Sequence, residues 1–271
     1  MTRWGDRFAI NTYAYTQTLS AATCVRTLAD RGVKSFELML YPGHLWITDS
    51  AETVRDLRRT IEDSGVSLIS LNSPNIDLNI AAATAEMRSY SIKLNSEYLR
   101  LAAELKAEGL VLGAGKANPL FPLPKATLET HFFRALDALL PLAERAGVEL
   151  WAENMPFVFI PDADSLMDSL DRYGADQIKI CYDVANAHFI GEDPVAGLDR
   201  VGARLRLIHL SDTTRAVYRH DAVGLGDVDF AGLAPAIKAL DLGRPPVLEI
   251  ISGEPDRDLA RSIKTLAALN Y

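Results

Sequence analysis

Eight short apolar runs punctuate the chain, and longer stretches with apolar residues every three or four positions separate them. The runs are FAINTYA (8–14), VKSFELML (33–40), VSLISLN (66–72), GLVLGAG (109–115), VELWAE (148–153), IKICYD (178–183), LRLIHLS (205–211) and PVLEI (246–250). Their length and β-branched or apolar content mark them as buried strands. AATCVRTLADRG, SAETVRDLRRTIEDSG, residues 83–108 and TLETHFFRALDALLPLAERAG carry helical periodicity. Asp49 and Ser50 precede AETVRDL, and Asp193-Pro194 precedes VAGLDRVG, as helix starts require. Gly32, Gly65 and Gly147 supply stops. Eight strand–helix units in one series, without a long linker, predict a single (β/α)8 TIM barrel over residues 1–271. A doubly wound open sheet is the structural competitor. The Pro-rich stretch GKANPLFPLP (115–124) is the clearest long loop and falls on the C-terminal, catalytic face of such a barrel.

Composition adjusts this picture little. Hydrophobic residues make up 48% and charged residues 24% of 271, enough for one large core. A net charge of −8 argues against nucleic acid or an anionic membrane as partner. No apolar run approaches the ~18 residues of a membrane span, and MTRWGDRFAINTYAY has no signal-peptide apolar region, so a soluble cytoplasmic protein is expected. Cys24 and Cys181 form no C-x-x-C pair and read as reduced, buried residues. GLGDVD reads as a turn, and without G-x-G-x-x-G no NAD is expected. The pattern leaves oligomeric state open: a homo-oligomer is compatible, and YPGHLW or NPLFPLP could serve as interface or lid.

The informative residues are those that interrupt the apolar runs. Glu153, Asp183, His209 and Glu249 end runs five to eight. A buried strand rarely carries a bare charge. Each alone has an ordinary reading as a helix cap, ion pair or core histidine. On consecutive staves of a barrel, the four converge at one mouth as ligands of one divalent cation. The oxygen-rich, anionic set suits Mn²⁺ first, then Mg²⁺ or Co²⁺, and Zn²⁺ less selectively. Such an ion would bind adjacent oxygens of a polyol or hydroxy-ketone and stabilise an enediolate, with Glu153 and Glu249 as a catalytic base–acid pair. His188, His220, Glu37 and Lys116 are further candidate substrate contacts at or beyond strand ends, and Asn72 and His44 share that location. Glu37 is expected at the barrel mouth. His131 lies in a helical pattern and reads as structural.

WAENMP, DVANAHFIGEDP, HLSDTTR, RHDAVGLGDVDF and VLEI together resemble the sugar-phosphate isomerase/epimerase superfamily, the xylose-isomerase-like barrels. In its ketose 3-epimerases one Mn²⁺ or related ion is held by residues matching Glu153, Asp183, His209 and Glu249. The resemblance makes the two glutamates acid and base, and makes Arg215, six residues after His209, a substrate contact. Two positions depart from that pattern: Phe159 replaces a second glutamate, and Asn186, also a candidate substrate contact, replaces a histidine. His220 in RHDAVGLG matches a metal-binding histidine of the apurinic-site endonucleases. Tyr218 and Asn186 replace ligands of that cluster, and strands three and four lack its histidines. The leading expectation is an isomerase or epimerase of a ketose, keto-acid or polyol. The runner-up is a lyase on the same scaffold: a dehydratase, a decarboxylase, or a cleaver of a C-glycoside or 3-keto sugar. A non-catalytic sugar-binding barrel comes third, and an endonuclease is the minor alternative.

Overall fold

The computed structural model describes residues 4–271. Residues 1–3, the start of the segment expected to lack a signal sequence, lie outside the described residues. Eight parallel strands are hydrogen-bonded in sequence order and β8 closes on β1, giving the expected barrel. They are β1 (Ala9–Asn11), β2 (Ser35–Met39), β3 (Ser67–Asn72), β4 (Gly109–Gly113), β5 (Glu149–Glu153), β6 (Lys179–Asp183), β7 (Leu205–Leu210) and β8 (Val247–Leu248). The helices are α1 (Ala21–Asp30), α2 (Ala51–Asp63), α3 (Ala85–Leu105), α4 (Lys125–Ala146), α5 (Ala163–Tyr173), α6 (Val184–Ile190), α7 (Pro194–Val201), α8 (Phe230–Ala239) and α9 (Pro255–Ala268).

The strands are shorter than the apolar runs, with residues trimmed from either end. In β1 the cause is local: the Asn11 side chain accepts the Tyr13 N–H at 2.7 Å and turns the chain into a 3-10 turn over Tyr13–Tyr15. β6 passes directly into α6 because the Asp183 carboxylate accepts the Asn186 N–H at 2.7 Å, an N-cap bond. Ser50 caps α2 as expected, and Asp193 with Pro194 opens α7.

Side chains alternate across each strand. Ile180 and Tyr182 of β6, Leu150 and Ala152 of β5 and Ile208 of β7 join the main apolar cluster shared with the helices. Trp151, Cys181, Leu207 and Val247 join a second, inner cluster with Ala9, Ile69 and Val111. The inner cluster fills the barrel, and Trp151, Cys181, Leu207 and Val247 stand two residues before Glu153, Asp183, His209 and Glu249. The period of two therefore aims those four side chains inward, one rung nearer the mouth. Trp151 reaches the opposite rim, where Glu149 accepts its indole N–H at 2.8 Å and the Arg244 guanidinium lies 5.4 Å from the ring centroid. Gly109 makes room for it, since a Cβ there would sit 2.3 Å from the indole. Cys24 and Cys181 are both free and buried.

One acid outside the mouth sets a pH response. Glu192 is half-buried and accepts the Ala163 N–H at 2.9 Å. Burial pushes its carboxyl up to about 7; the Ala163 N–H and the Tyr182 hydroxyl oppose the rise, and Asp162 and Asp164 add to it. A folded-state value raised above the unfolded one stabilises the protein at acid pH, and that stability is lost as pH rises through about 7. Glu192→Gln is therefore expected to be more stable than the wild type above neutrality by about 1–2 kcal/mol, discounted for partial exposure. Below the unfolded carboxyl value the two should converge, as urea unfolding across pH would show.

Candidate metal centre

The four inward residues meet. Glu153, Asp183, His209 and Glu249 each offer one ligand atom within 4.8 Å of the others, and all are buried. His209 Nδ1 lies 3.2 Å from Glu153 Oε1, 3.3 Å from Glu249 Oε2 and 3.7 Å from Asp183 Oδ2. Asp183 Oδ2 is buried without a hydrogen-bond partner, while Oδ1 is used by the cap. An unpartnered carboxylate oxygen among like charges is costly unless a cation completes it. The donor set and the orphaned oxygen thus fit a divalent ion with hard ligands.

The surroundings hold the set in place. His209 Nε2 lies 2.8 Å from Glu37 Oε1 and 3.4 Å from Cys181 Sγ. Glu37 is fully buried and accepts hydrogen bonds from Asn11 Nδ2 and Ser70 Oγ at 2.6 Å each, and from Asn72 Nδ2 at 3.2 Å. A carboxylate against Nε2 favours the proton there and leaves the Nδ1 lone pair for a metal. The expected substrate contact at Glu37 is corrected: this residue lies beneath the ligand set, not at the mouth.

The two glutamates differ in environment. Burial pushes the Glu153 carboxyl up, and His209 offsets only part of the rise. Glu249 is equally buried, yet His209 and His220 outweigh that burial and hold it well below the usual carboxylate range. Asn11 Nδ2 also donates to Glu249 at 3.2 Å. His220 loses charge stability on burial, but Asp183, Glu249 and Glu153 overcome this and raise it to about 9.

Above the set opens a cavity of about 300 Å³ bounded by Glu153 and Glu249. Tyr13, Tyr41, Asn75, Met155 and Tyr218 shape its walls. Asn186 and His220 also line it and belong to one chain of contacts. Tyr218 Oη donates to Asn186 Oδ1 at 2.7 Å, and His220 Nε2 lies 2.9 Å from the same Oη. Asn186 Nδ2 donates to the Asn154 carbonyl at 2.9 Å, and His220 Nδ1 lies 3.3 Å from Glu249 Oε2. Phe157 and Phe189 pack on the Tyr218 ring with centroids 5.5 Å and 5.1 Å away.

The other candidate contacts lie off this cavity. His188 pairs with Asp227 at 2.6 Å. Lys116 Nζ donates to the Ile76 carbonyl and faces a separate small cavity. Arg215 is exposed and outside the cavity wall. His44 is buried between Thr12 Oγ1 and the Leu19 carbonyl, and His131 lies on α4. Phe159 packs edge-to-face against Phe132 of α4 with centroids 6.1 Å apart, turned toward the helix layer. Sequence reasoning missed Asn11 and Ser70, although both show the same signal as the four converging residues: a polar residue inside an apolar strand.

Known proteins agree with this architecture. An uncharacterized protein, MJ1311, of Methanocaldococcus jannaschii is 21% identical over 91% of this chain and 84% of its own length. A probable endonuclease 4 of Mycobacterium ulcerans is 26% identical over 60% of this chain and 66% of its own. Among solved structures, a D-tagatose 3-epimerase-like protein superposes with a TM-score of 0.84 at 18% identity, over 97% of both chains. A 3-keto-D-glucoside 4-epimerase from E. coli does so with a TM-score of 0.81 at 16% identity, over 97% of this chain and 99% of that one. At these identities the structural likeness speaks for the fold. The model of the xylose isomerase-like TIM barrel matches residues 25–269, and the chain belongs to that family.

Proposed function

We propose that this protein is a divalent-metal-dependent isomerase or epimerase of a sugar or related hydroxy-carbonyl compound, acting by proton transfer through an enediolate. The observation that carries this is the buried convergence of three carboxylates and one imidazole, with an orphaned Asp183 oxygen, directly beside an open cavity. Glu153, Asp183, His209 and Glu249 would hold the ion, which would supply Lewis-acid polarisation of a carbonyl and counter-charge for the enediolate.

The chain's own groups supply the rest. Asp183 and His209 are sealed at 0% exposure, whereas Glu153 and Glu249 remain 4% and 6% exposed and reach the cavity. These glutamates come from β5 and the end of β8, three staves apart, so they can flank one substrate carbon. Either could take its proton and return it to the same or the other face. The Tyr218 ring, clamped by Phe157 and Phe189, gives the substrate a rigid wall and keeps water from the reacting carbon. The acidic wall and the net charge of −8 disfavour a nucleic-acid backbone.

The test is turnover of free ketoses and keto-glycosides by Mn²⁺-loaded protein in D₂O. Deuterium is expected on the carbon next to the carbonyl, in a product otherwise of unchanged composition. A product that has lost water or carbon dioxide would instead identify a lyase. Failure to exchange any carbon-bound hydrogen would refute the proton-transfer reading.

A further inference from the structure

We propose, on the basis of the isomerase assignment above, that the substrate is uncharged: a polyhydroxy ketone or keto-glycoside with neither phosphate nor carboxylate. The charge of the cavity points to this. Its wall carries three carboxylates, Asp77, Glu153 and Glu249, and no lysine or arginine among the described residues. Phosphate and carboxylate recognition ordinarily relies on guanidinium or ammonium donors, or on free N–H groups at a helix start. Here the nearby cations are directed elsewhere. Lys116 does not line the wall: its ammonium donates to the Ile76 carbonyl beside a separate cavity, where it feels the charge of Asp77. Arg215 and Arg219 are exposed and do not line the wall. The start of α6, which faces the mouth through Asn186, is already capped by the Asp183 carboxylate. His220 is surrounded by Asp183, Glu249 and Tyr218, so any positive charge it carries is matched within the wall.

What the wall does offer matches hydroxyl groups and the C–H faces of a sugar. Tyr13, Tyr41, Asn72, Ser73 and Asn75 present neutral donors and acceptors. Met39, Met155, Ile76 and Ile251 present apolar surface between them. With Glu153 and Glu249 committed to the ion, a phosphate or carboxylate carried elsewhere on the substrate would meet Asp77 and no lysine or arginine among the described lining residues, so its charge would go unpaired. Asp77, exposed at the rim, is the acid that such a group would meet first on entry.

The experiment sets Mn²⁺-loaded protein against matched pairs: free hexuloses and pentuloses against their terminal phosphate esters, and 3-keto-glycosides against cyclic keto-acids. Exchange of carbon-bound hydrogen in D₂O gives kcat/KM, and calorimetric titration with glucitol and glucitol 6-phosphate gives binding without turnover. The expected result is a preference of at least ~100-fold for the uncharged member, with glucitol binding and its phosphate not. Asp77→Lys should move the ratio toward the phosphate ester by roughly tenfold, with the melting temperature unchanged. Equal or better turnover of a phosphate ester or keto-acid would overturn the uncharged-substrate proposal while leaving the isomerase assignment intact. No exchange with either class would overturn both.

Discussion

Glu153→Gln is expected to lower kcat for carbon-bound hydrogen exchange by at least ~10³-fold, since on the proposed mechanism it removes a general base and weakens the metal set together. The substitution keeps the size and shape of a side chain that is only 4% exposed, so the fold should survive it. What it removes is a carboxylate that can accept a proton beside the cavity. Its neighbours are His209, Asp183 and Glu249, and none of these can take its place at the same wall position. Metal content measured beside the rate separates the two causes. At saturating Mn²⁺ the variant should still hold the ion through Asp183, His209 and Glu249 and remain inactive. A metal-loaded variant exchanging near the wild-type rate would show that the base lies elsewhere.

Glu37→Ala is expected to cost about 3–5 kcal/mol of folding stability, as loss of one partner from a buried charged pair does. It should also weaken Mn²⁺ binding by roughly 10–100-fold. The carboxylate is fully buried and receives hydrogen bonds from Asn11, Ser70 and Asn72, all of which would be left facing an apolar gap. The loss also frees His209 Nε2, now 2.8 Å from Glu37, so the proton is no longer favoured on that nitrogen. Urea unfolding of the metal-free protein reads the first effect and competitive metal titration the second. Glu37→Gln, which keeps one acceptor oxygen, should restore much of the stability and less of the affinity. A variant with normal metal affinity and only a raised KM would return Glu37 to the role of substrate contact.

The two departures from the epimerase and endonuclease patterns, at Asn186 and Tyr218, look independent along the chain. In the fold they are one feature: the Tyr218 hydroxyl is bonded to the Asn186 side chain at 2.7 Å, and His220 lies against the same oxygen. Where the pattern has charged or metal-binding groups, this wall has a neutral pair. The third departure, Phe159, is of another kind, since its ring joins Phe132 in the helix layer. A motif position gives the identity of a side chain, and loop geometry gives its direction.

The chain's periodicity alone determined the barrel and the convergence of four polar side chains inside it. Both rest on local rules: side chains alternate along a strand, and a charge in an apolar strand must find a partner. Trp151 precedes Glu153, Cys181 precedes Asp183, Leu207 precedes His209 and Val247 precedes Glu249 by two residues, so the inward aim was readable from spacing. Glu37 satisfied the same rules and was placed at the wrong height. The register between β2 and β3 shifts at Phe36 and Glu37, and only the closed sheet fixes which residues stand level. Lys116, His188 and Arg215 sit on loops or a helix whose course no periodicity predicts, and the folded chain turns each of them off the cavity. The absence of lysine and arginine from the described wall is likewise a tertiary property, because the wall is assembled from the ends of seven different strands and their loops. Spacing along the chain sets which groups face inward; closure of the sheet and the paths of its loops set which of them meet.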